Sequence, residues 1–293
     1  MRAATTARER KPFGKEPITA MPIFVDRHDM HGLSAEEIAE AHRRDLEKQD
    51  EYGVKFLTYW HDEQRGTGFC LIDAPDKETA MRVHGETHGN VALDVVEADL
   101  SAVQAFLGRI SDPPNVADQH RSEIDSAFRA IMFTDIVGST EMTARLGDLT
   151  SVEMVRAHDG IVRQALVDFD GREVKHMGDG IMASFHQVPS ALGAAISASR
   201  EFTKFCENSS EELHVRIGID AGEPVEDSND LFGATVQLAA RLCAVAAPDS
   251  ILVSRSVSEA ATEAFSTREL GERQLKGFAS PVPVYEVADT KRA

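Results

Sequence analysis

The chain has 293 residues, of which 42% are apolar and 27% are charged, which is the balance of a soluble globular protein. Its net charge of −18 argues against nucleic acid as a partner, because binding a phosphate backbone requires clustered lysine and arginine. A nucleotide substrate is not excluded, since only a few cations have to converge on a triphosphate. No apolar run is long enough to predict a membrane span. The three scattered cysteines predict a reducing, cytoplasmic location.

The first part of the chain alternates strand and helix patterns. Residues 1–20 are basic and lack the apolar run of a secretion signal, so we interpret them as a disordered tail. In residues 21–110, Ser34 and Glu37 have the spacing of a capping box that starts a helix. The predicted elements are strands at Pro22–Asp29, Val54–His61, Thr67–Asp73 and Val91–Val96, and helices at Ser34–Tyr52 and Lys77–His88. This βαββαβ order predicts a ferredoxin-like α/β sandwich.

A polar segment at 111–126 contains a Pro-Pro pair that neither a helix nor a strand continues through, so we predict a linker between two domains. A short helix precedes it, and its apolar face consists of Leu100, Val103, Phe106, Leu107 and Ile110. The second domain, 127–290, again alternates element types. We predict strands at Ala130–Phe133, 213–219 and 251–253, helices at Ser139–Phe169, 189–206 and 234–246, a hairpin around Gly178-Asp179-Gly180, and two strands within 268–287.

Two aspartates follow or interrupt the predicted strands of the second domain. Asp135 ends the first strand in FTDIVGST, and Asp179 lies at the hairpin tip in KHMGDGIMASF. If these strands are neighbours, both carboxylates project from the same end of one sheet. Such a pair can hold Mg²⁺ or a similar hard divalent ion, which prefers oxygen ligands. Taken singly, each aspartate is better explained as a turn or cap residue.

The strings around these aspartates occur in a fixed order. FTDIVGST, EVKHMGDGIMASF, VRIGIDAGEP, DLFGATVQLAAR and LKGF follow one another across the second domain. Together they resemble the class III adenylate/guanylate cyclase catalytic domain over essentially all of 127–290. The resemblance implies that the second domain has the class III nucleotide cyclase fold. Together with the βαββαβ order of the first domain, it predicts an α+β protein with two ferredoxin-like α/β sandwich domains, the second elaborated as a class III nucleotide cyclase domain. It also implies two Mg²⁺ or Mn²⁺ ions per active site.

The resemblance assigns a role to each matching position. The expected roles are metal binding for Asp135, Asp179 and the backbone carbonyl of Ile136, purine binding for Lys175 and Asp230, phosphate binding for Arg216 and Lys276, and transition-state support for Gln237 and Arg241. In this family the metal residues come from one protomer and the purine residues from the other. A head-to-tail homodimer would therefore hold two equivalent sites, and a lone monomer none.

The pair Lys175 and Asp230 favours ATP over GTP. Adenine offers an acceptor at N1 and a donor amine at N6, which a lysine donor and a carboxylate acceptor match. Guanine presents the opposite pattern and would leave a buried carboxylate facing an oxygen, a mismatch that rejects the wrong substrate strongly. The alternative for Lys175 is a surface charge on a strand edge.

Gln237 departs from the family pattern, which usually has asparagine there. Its amide is carried on an arm longer by one methylene, ~1.5 Å, and a displacement of about 1 Å can cost on the order of 10²-fold in rate. This leaves open an alternative, a weakly active or silent ATP-binding domain that signals through its dimer state. His158 and His176 also lie near the motifs. We interpret them as structural, because metal activation of the ribose hydroxyl needs no catalytic base.

Histidines are concentrated in the N-terminal domain, at positions 28, 31, 42, 61, 84 and 88. His84 and His88 share one helix face, a spacing that suits a shared transition metal. The segments MPIFVDRHDMHGLSAEEIAEAHRRD and YGVKFLTYWHDEQRGTGFCLIDAPDKETAMRVHGETHG resemble a family of small bacterial ferredoxin-like domains, some of them nickel-binding. Candidate ligands for Ni²⁺ or another transition metal are His28, His42, His84 and His88, with Asp26 nearby in sequence.

The sequence therefore predicts a cytoplasmic homodimeric adenylate cyclase that makes cyclic AMP from ATP and is regulated by its N-terminal domain. Two other roles for the N-terminal domain stay open. It is a dimerisation or small-molecule sensing unit, or its metal binding is the main function of the protein.

Overall fold

The computed structural model describes residues 21–112, 126–223, 233–261 and 264–288. The predicted tail at 1–20, most of the predicted linker and Asp230 lie outside these ranges. Within the described residues, no helix combines the length and the apolar composition that crossing a membrane requires.

The N-terminal domain is an antiparallel four-stranded sheet with two helices on one face. Its elements are β1 (Ile23–Asp29), α1 (Ala35–Tyr52), β2 (Lys55–Asp62), β3 (Thr67–Asp73), α2 (Lys77–Thr87), β4 (Asp94–Glu97) and α3 (Leu100–Leu107). The strand order is β2-β3-β1-β4. The Ser34–Glu37 capping box is present at the start of α1. The ferredoxin-like prediction is therefore confirmed for this domain.

The second domain is built on a seven-stranded sheet of order β10-β11-β9-β8-β5-β7-β6. Its elements are β5 (Arg129–Ile136), α4 (Ser139–Leu146), α5 (Asp148–Asp168), β6 (Arg172–His176), β7 (Ile181–Phe185), α6 (Val188–Asn208), β8 (Val215–Gly222), α7 (Gly233–Val245), β9 (Ile251–Val253), α8 (Arg255–Ala260), β10 (Ser266–Arg273) and β11 (Val282–Ala288). The β8–β9 pair is parallel and the other pairs are antiparallel. The α+β prediction is confirmed.

The predicted helix at Ser139–Phe169 is wrong in one respect, because the structure has two helices there. Gly147 separates them with a φ of +77°, a conformation that glycine adopts without strain. A glycine at this place in the sequence is itself a helix-end signal, and the prediction of one helix overlooked it. The short helix α8 was also not predicted.

The two domains share an apolar core. Along β5, Ala130 and Met132 face the helices α4 to α6, whereas Ile131 and Phe133 belong to a second cluster. This second cluster also contains Trp60 and other residues from the face of the N-terminal sheet that α1 and α2 leave uncovered. A β-strand directs alternate side chains to opposite faces, so β5 is buried on both.

Helix α3 lies at this shared interface and is held there by arginines of the second domain. Arg129, which is buried, donates from Nε to the carbonyl of Phe106 at 3.2 Å and from Nη2 to that of Leu107 at 3.1 Å. Arg172 donates to the carbonyl of Gln104 at 3.1 Å. Carbonyls at a helix C-terminus have no partner within the helix, and guanidinium groups satisfy them and complement the helix dipole.

Candidate active site

Asp135 and Asp179 lie side by side at one end of the second sheet. β5 pairs with β7, and beyond the last paired residues the backbone N–H of Ile136 donates to the carbonyl of Asp179 at 3.1 Å. The hydroxyl of Ser139, at the start of α4, donates to Oδ2 of Asp179. Both aspartates can lie at one end of the sheet only if β5 and β7 are neighbours, and the two strands are paired.

Gly180 permits this close approach of the two strands. A Cβ at this position would lie 2.2 Å from the carbonyl oxygen of Thr134, which is backbone and cannot rotate away. Only glycine therefore allows the hairpin to seat against β5 next to Asp135. The Gly-Asp-Gly string therefore both forms the turn and allows Asp179 to lie next to β5.

Arg216 faces Asp135 from the neighbouring strand β8, where the two residues are paired in register. Its Nε donates to Asp135 Oδ2 at 2.7 Å, and its Nη2 lies 2.6 Å from the same oxygen. Nη1 also donates to the carbonyl of Ala244 near the end of α7 at 3.1 Å. A cation is therefore already seated against one of the two carboxylates expected to bind metal.

Gln237 and Arg241 lie one turn apart on α7, so they share a face of that helix. Gln237 is exposed, and Arg241 donates from Nε to the backbone carbonyl of Lys276 at 3.0 Å. This contact joins α7 to the loop that carries the exposed Lys276 side chain. Close packing of α7 on the sheet fixes its position, since a Cβ on Gly218 would lie 2.1 Å from the backbone nitrogen of Cys243.

Lys175 lies on the edge strand β6, and its side chain is exposed. Within the described part of the chain it takes part in no hydrogen bond or ion pair. Asp230, its expected partner, lies outside the described residues. One chain thus groups Asp135, Ile136, Asp179 and Arg216 and leaves Lys175 facing solvent, which is the distribution expected of a site completed by a second copy.

A second polar cluster is buried in the N-terminal domain. Asp26 on β1 accepts at 3.1 Å from His28 Nε2 and at 2.9 Å from His84 Nε2. On the other side of its ring, His84 Nδ1 lies 3.2 Å from Asp45 and 3.1 Å from His88 Nε2. The four residues Asp26, His28, His84 and Asp45 are each at most 1% exposed.

Charge pairing stabilises this buried cluster. Burial lowers the pKa of His28, but the nearby Asp26 carboxylate outweighs this effect and raises that pKa to about 9. The same opposition raises the pKa of His84 well above its usual value. Burial also raises the pKa of Asp26, yet His28 and His84 hold it below its ordinary range. Imidazolium and carboxylate groups therefore neutralise one another here.

The sequence did not identify two members of this cluster. Cys70 on β3 lies opposite Asp26 in register, and Asp45 lies on α1 facing α2. The thiol groups with Asp26, His28 and His84, and Asp45 groups with His84 and His88, with candidate ligand atoms within 4.8 Å of one another in each group. His42, a predicted ligand, belongs to neither group. It pairs instead with Asp112 at 2.9 Å and packs on Tyr59.

Both clusters have the donor chemistry of the metals expected for them. Two carboxylates beside a backbone carbonyl suit Mg²⁺ or Mn²⁺, and the guanidinium on Asp135 shows that this position accepts positive charge. Imidazole, thiol and carboxylate together suit a borderline transition metal such as Ni²⁺ or Zn²⁺. Among the described residues, His28 Nδ1 is buried without a hydrogen-bond partner, so this ring has an unused nitrogen.

Comparisons with known proteins match the two parts of the chain that contain these clusters. Residues 125–288 match the family model described as the adenylate and guanylate cyclase catalytic domain. Residues 24–97 match the model described as nickel responsive protein SCO4226-like.

Individual relatives match the second domain. An adenylate cyclase of Streptomyces coelicolor is 29% identical over 182 residues, covering 60% of this chain and 47% of the relative. An uncharacterised protein of Mycobacterium tuberculosis is 31% identical over 163 residues, covering 56% of this chain and 42% of the relative. The chain thus spans under half the length of these relatives. The crystal structure of the adenylyl cyclase CyaB from P. aeruginosa has the same fold over 56% of this chain and 95% of that chain, with a TM-score of 0.51 and 22% identity.

Arg216 and a divalent cation compete for Asp135, so removal of the guanidinium should tighten metal binding. We expect Arg216→Met to raise the Mn²⁺ affinity of the nucleotide-free protein about tenfold, because an ion pair near a protein surface is worth on the order of 1 to 4 kcal/mol. Isothermal calorimetry measures this. Arg145→Met is the control, since Arg145 pairs with Glu211 away from the aspartates. Equal affinities for both variants would show that Arg216 does not occupy the cation position.

Proposed function

The chain belongs to the adenylate and guanylate cyclase catalytic domain family, and we propose that it converts ATP to 3′,5′-cyclic AMP and pyrophosphate as a head-to-tail homodimer. The observation that carries this proposal is the juxtaposition of Asp135 and Asp179 at one end of the sheet, with Arg216 beside them. In the reaction, the ribose 3′-oxygen forms a bond to the α-phosphorus while the bond to the pyrophosphate oxygen breaks.

The residues of the site have separate proposed roles in this reaction. When bound, two Mg²⁺ or Mn²⁺ ions lower the pKa of the ribose hydroxyl and neutralise charge on the leaving pyrophosphate. Asp135, Asp179 and the carbonyl of Ile136 are the proposed ligands. Arg216 is proposed to release Asp135 and bind the triphosphate, together with Lys276. Both side chains are cationic. Arg216 lies beside Asp135, and Lys276 lies in the loop whose backbone accepts a hydrogen bond from Arg241 of α7.

The proposed choice of ATP rests on Lys175 and Asp230. Lys175 is free to meet a nucleotide held mainly by the partner chain, because its ammonium is exposed on the edge strand. A lysine donor fits N1 of adenine, and an aspartate acceptor fits its N6 amine. Relatives named adenylate cyclase support the same choice.

Gln237 and Arg241 are the proposed groups that stabilise the transition state. They share one face of α7, and the contact of Arg241 with the Lys276 carbonyl fixes the neighbouring loop. The glutamine at 237, with its longer side chain, is the specific observation that favours the second candidate function, a slow or silent ATP-binding module that signals through its dimer state.

Purified protein incubated with ATP and Mn²⁺ or Mg²⁺ should produce cyclic AMP, detected by chromatography and mass spectrometry. GTP should be turned over at least about 100-fold less efficiently, because the mismatched base leaves buried polar groups unpaired. Asp179→Asn should abolish the product, whereas Asp168→Asn, on the exposed side of α5, should not.

Two other outcomes would revise this proposal in different ways. Preferential turnover of GTP would overturn the assigned roles of Lys175 and Asp230. No product from the native chain, with activity gained in Gln237→Asn, would favour the silent module.

We further propose that the N-terminal domain binds a transition metal and regulates the cyclase. His84 joins two groups of donors, since its Nε2 faces Asp26 and its Nδ1 faces Asp45 and His88. The imidazole could therefore serve a metal on either side of the ring. Binding would displace protons from the paired histidines, because metal ligands must be deprotonated.

A hydrogen bond between the domains provides a route for such regulation. Thr67, at the start of β3, donates from Oγ1 to Glu223 Oε1 at 2.5 Å, and both residues are buried. Glu223 directly follows β8, the strand that carries Arg216. Cys70 lies on the same strand as Thr67, and its backbone N–H donates to Asp26 at 3.0 Å. A change in the histidine cluster can thus reach the cyclase sheet through one short strand.

Titration of the full-length protein with Ni²⁺ or Zn²⁺ should reveal a site that His84→Gln weakens by at least ~100-fold, since even groups that only support a ligand contribute 10 to 100-fold. His31→Gln is the matched control, because His31 is exposed and pairs with Asp29, which lies outside the cluster. If both variants bound Ni²⁺ or Zn²⁺ with equal affinity, the proposed site would be refuted. Regulation predicts in addition that bound metal changes the cyclase rate, and that Thr67→Val weakens this response.

A further inference from the structure

A chain of polar side chains, buried at Thr134, His158 and Asp159, runs beneath the second sheet on the side of the helices. We call it the Asp159 network, and it consists of Thr134, His158, Asp159, Arg163 and His176. His158 is fully buried on α5, and its ring stacks on Phe202 of α6 with a centroid distance of 5.6 Å. None of these residues has a role in the proposed reaction. Their hydrogen bonds nevertheless reach β5 at one end of the network and β6 at the other.

One end of the network holds the strand of Asp135. Thr134 Oγ1 accepts from the backbone N–H of Ile181 at 3.1 Å and lies 3.0 Å from His158 Nε2. Thr134 is itself fully buried. Its hydroxyl therefore ties β5 to the start of β7, immediately beside the two aspartates.

The hydrogen-bond partners of His158 specify which of its ring nitrogens carries the proton. Burial lowers the pKa of His158, so its ring is neutral at pH 7. Nδ1, 3.1 Å from Asp159 Oδ1, then carries the proton and donates to the carboxylate. Nε2 is left as an acceptor for the Thr134 hydroxyl, and every polar atom of the ring is satisfied.

The other end of the network holds the strand of Lys175. Asp159 Oδ2 lies 2.9 Å from His176 Nε2 and 3.3 Å from the Arg163 guanidinium, which in turn forms a two-point ion pair with Glu173. β6 is an edge strand, and its pairing with β7 shifts register between Glu173 and Lys175. Backbone pairing alone therefore specifies the position of Lys175 weakly.

We propose that His158 and Asp159 are positioning residues that hold the metal-binding end of β5 and the purine-binding strand β6 in one fixed relation. The roles of Asp135 and Lys175 in this statement rest on the proposed function. Neither His158 nor Asp159 touches substrate. They act through Thr134 and His176, the neighbours in sequence of Asp135 and Lys175. In a head-to-tail dimer, Asp135 and Lys175 of one chain belong to different active sites. The Asp159 network of that chain therefore lies between the two sites.

Breaking each end of the network should impair a different ligand. Thr134→Val keeps the shape of the side chain and removes the hydroxyl, and we expect Mn²⁺ affinity to fall about tenfold with ATP-analogue affinity changed less than about twofold. His176→Phe should instead lower the affinity for α,β-methylene-ATP by about fivefold and leave Mn²⁺ affinity unchanged. His158→Leu, at the centre, should impair both, and Thr134→Ser, which retains the hydroxyl, should bind Mn²⁺ like the native chain.

Calorimetry on the full chain measures both affinities without turnover, so a native protein that binds both ligands but makes no cyclic AMP would defeat the proposed function alone. Thr203→Val and His31→Phe are controls at exposed positions. Melting temperatures for all variants separate stability from positioning. If Thr134→Val or His158→Leu fails to fold, the exposed His176 and the conservative Asp159→Asn variant still report on the network. Variants that lower the melting temperature but bind both ligands like the controls would overturn the proposal.

Discussion

The pairing of β5 with β7 is the constraint on which the candidate site depends. Asp135 and Asp179 are more than forty residues apart in sequence, and they meet only because the two strands are hydrogen-bonded neighbours that end together. The close backbone approach at Gly180 makes this possible. Arg216 forms an ion pair with the Asp135 carboxylate, and Ser139 donates a hydrogen bond to that of Asp179. The site is thus built to receive positive charge.

The same sheet is also the surface on which the N-terminal domain packs. Strand β5 is apolar on both faces, one against its own helices and the other in a core shared with the N-terminal sheet. Because the two domains share this core, a shift in one is transmitted to the other through packed side chains. The buried hydrogen bond between Thr67 and Glu223 adds a polar contact between them. Regulation through such a contact needs only a small change in the histidine cluster, because packed interfaces respond by discrete shifts.

Sequence patterns predicted most elements of this fold, because hydrophobic periodicity and turn residues are local signals. They placed the two aspartates at one end of the sheet only on the condition that β5 and β7 are neighbours, a condition that tertiary pairing meets. The prediction of one helix at Ser139–Phe169 overlooked the break at Gly147, where the chain adopts a positive φ. The sequence patterns also missed Asp45 and Cys70, which reach the histidine cluster only through tertiary packing, and they included His42, whose partner Asp112 is seventy residues away. The Asp159 network was equally invisible, since His158 and His176 meet the same carboxylate from separate elements.

The central claim is that each active site combines metal ligands from one chain with purine-binding residues from another. Mixing two inactive variants tests it directly. Asp135→Asn removes a metal ligand and Lys175→Ala removes a purine contact, and a head-to-tail heterodimer of the two retains one intact site. Co-refolded or co-expressed in equal amounts, the pair should recover about one quarter of native cyclic AMP formation, while each variant alone is inactive. A mixture as inactive as its components, with heterodimers shown to form, would contradict the shared site.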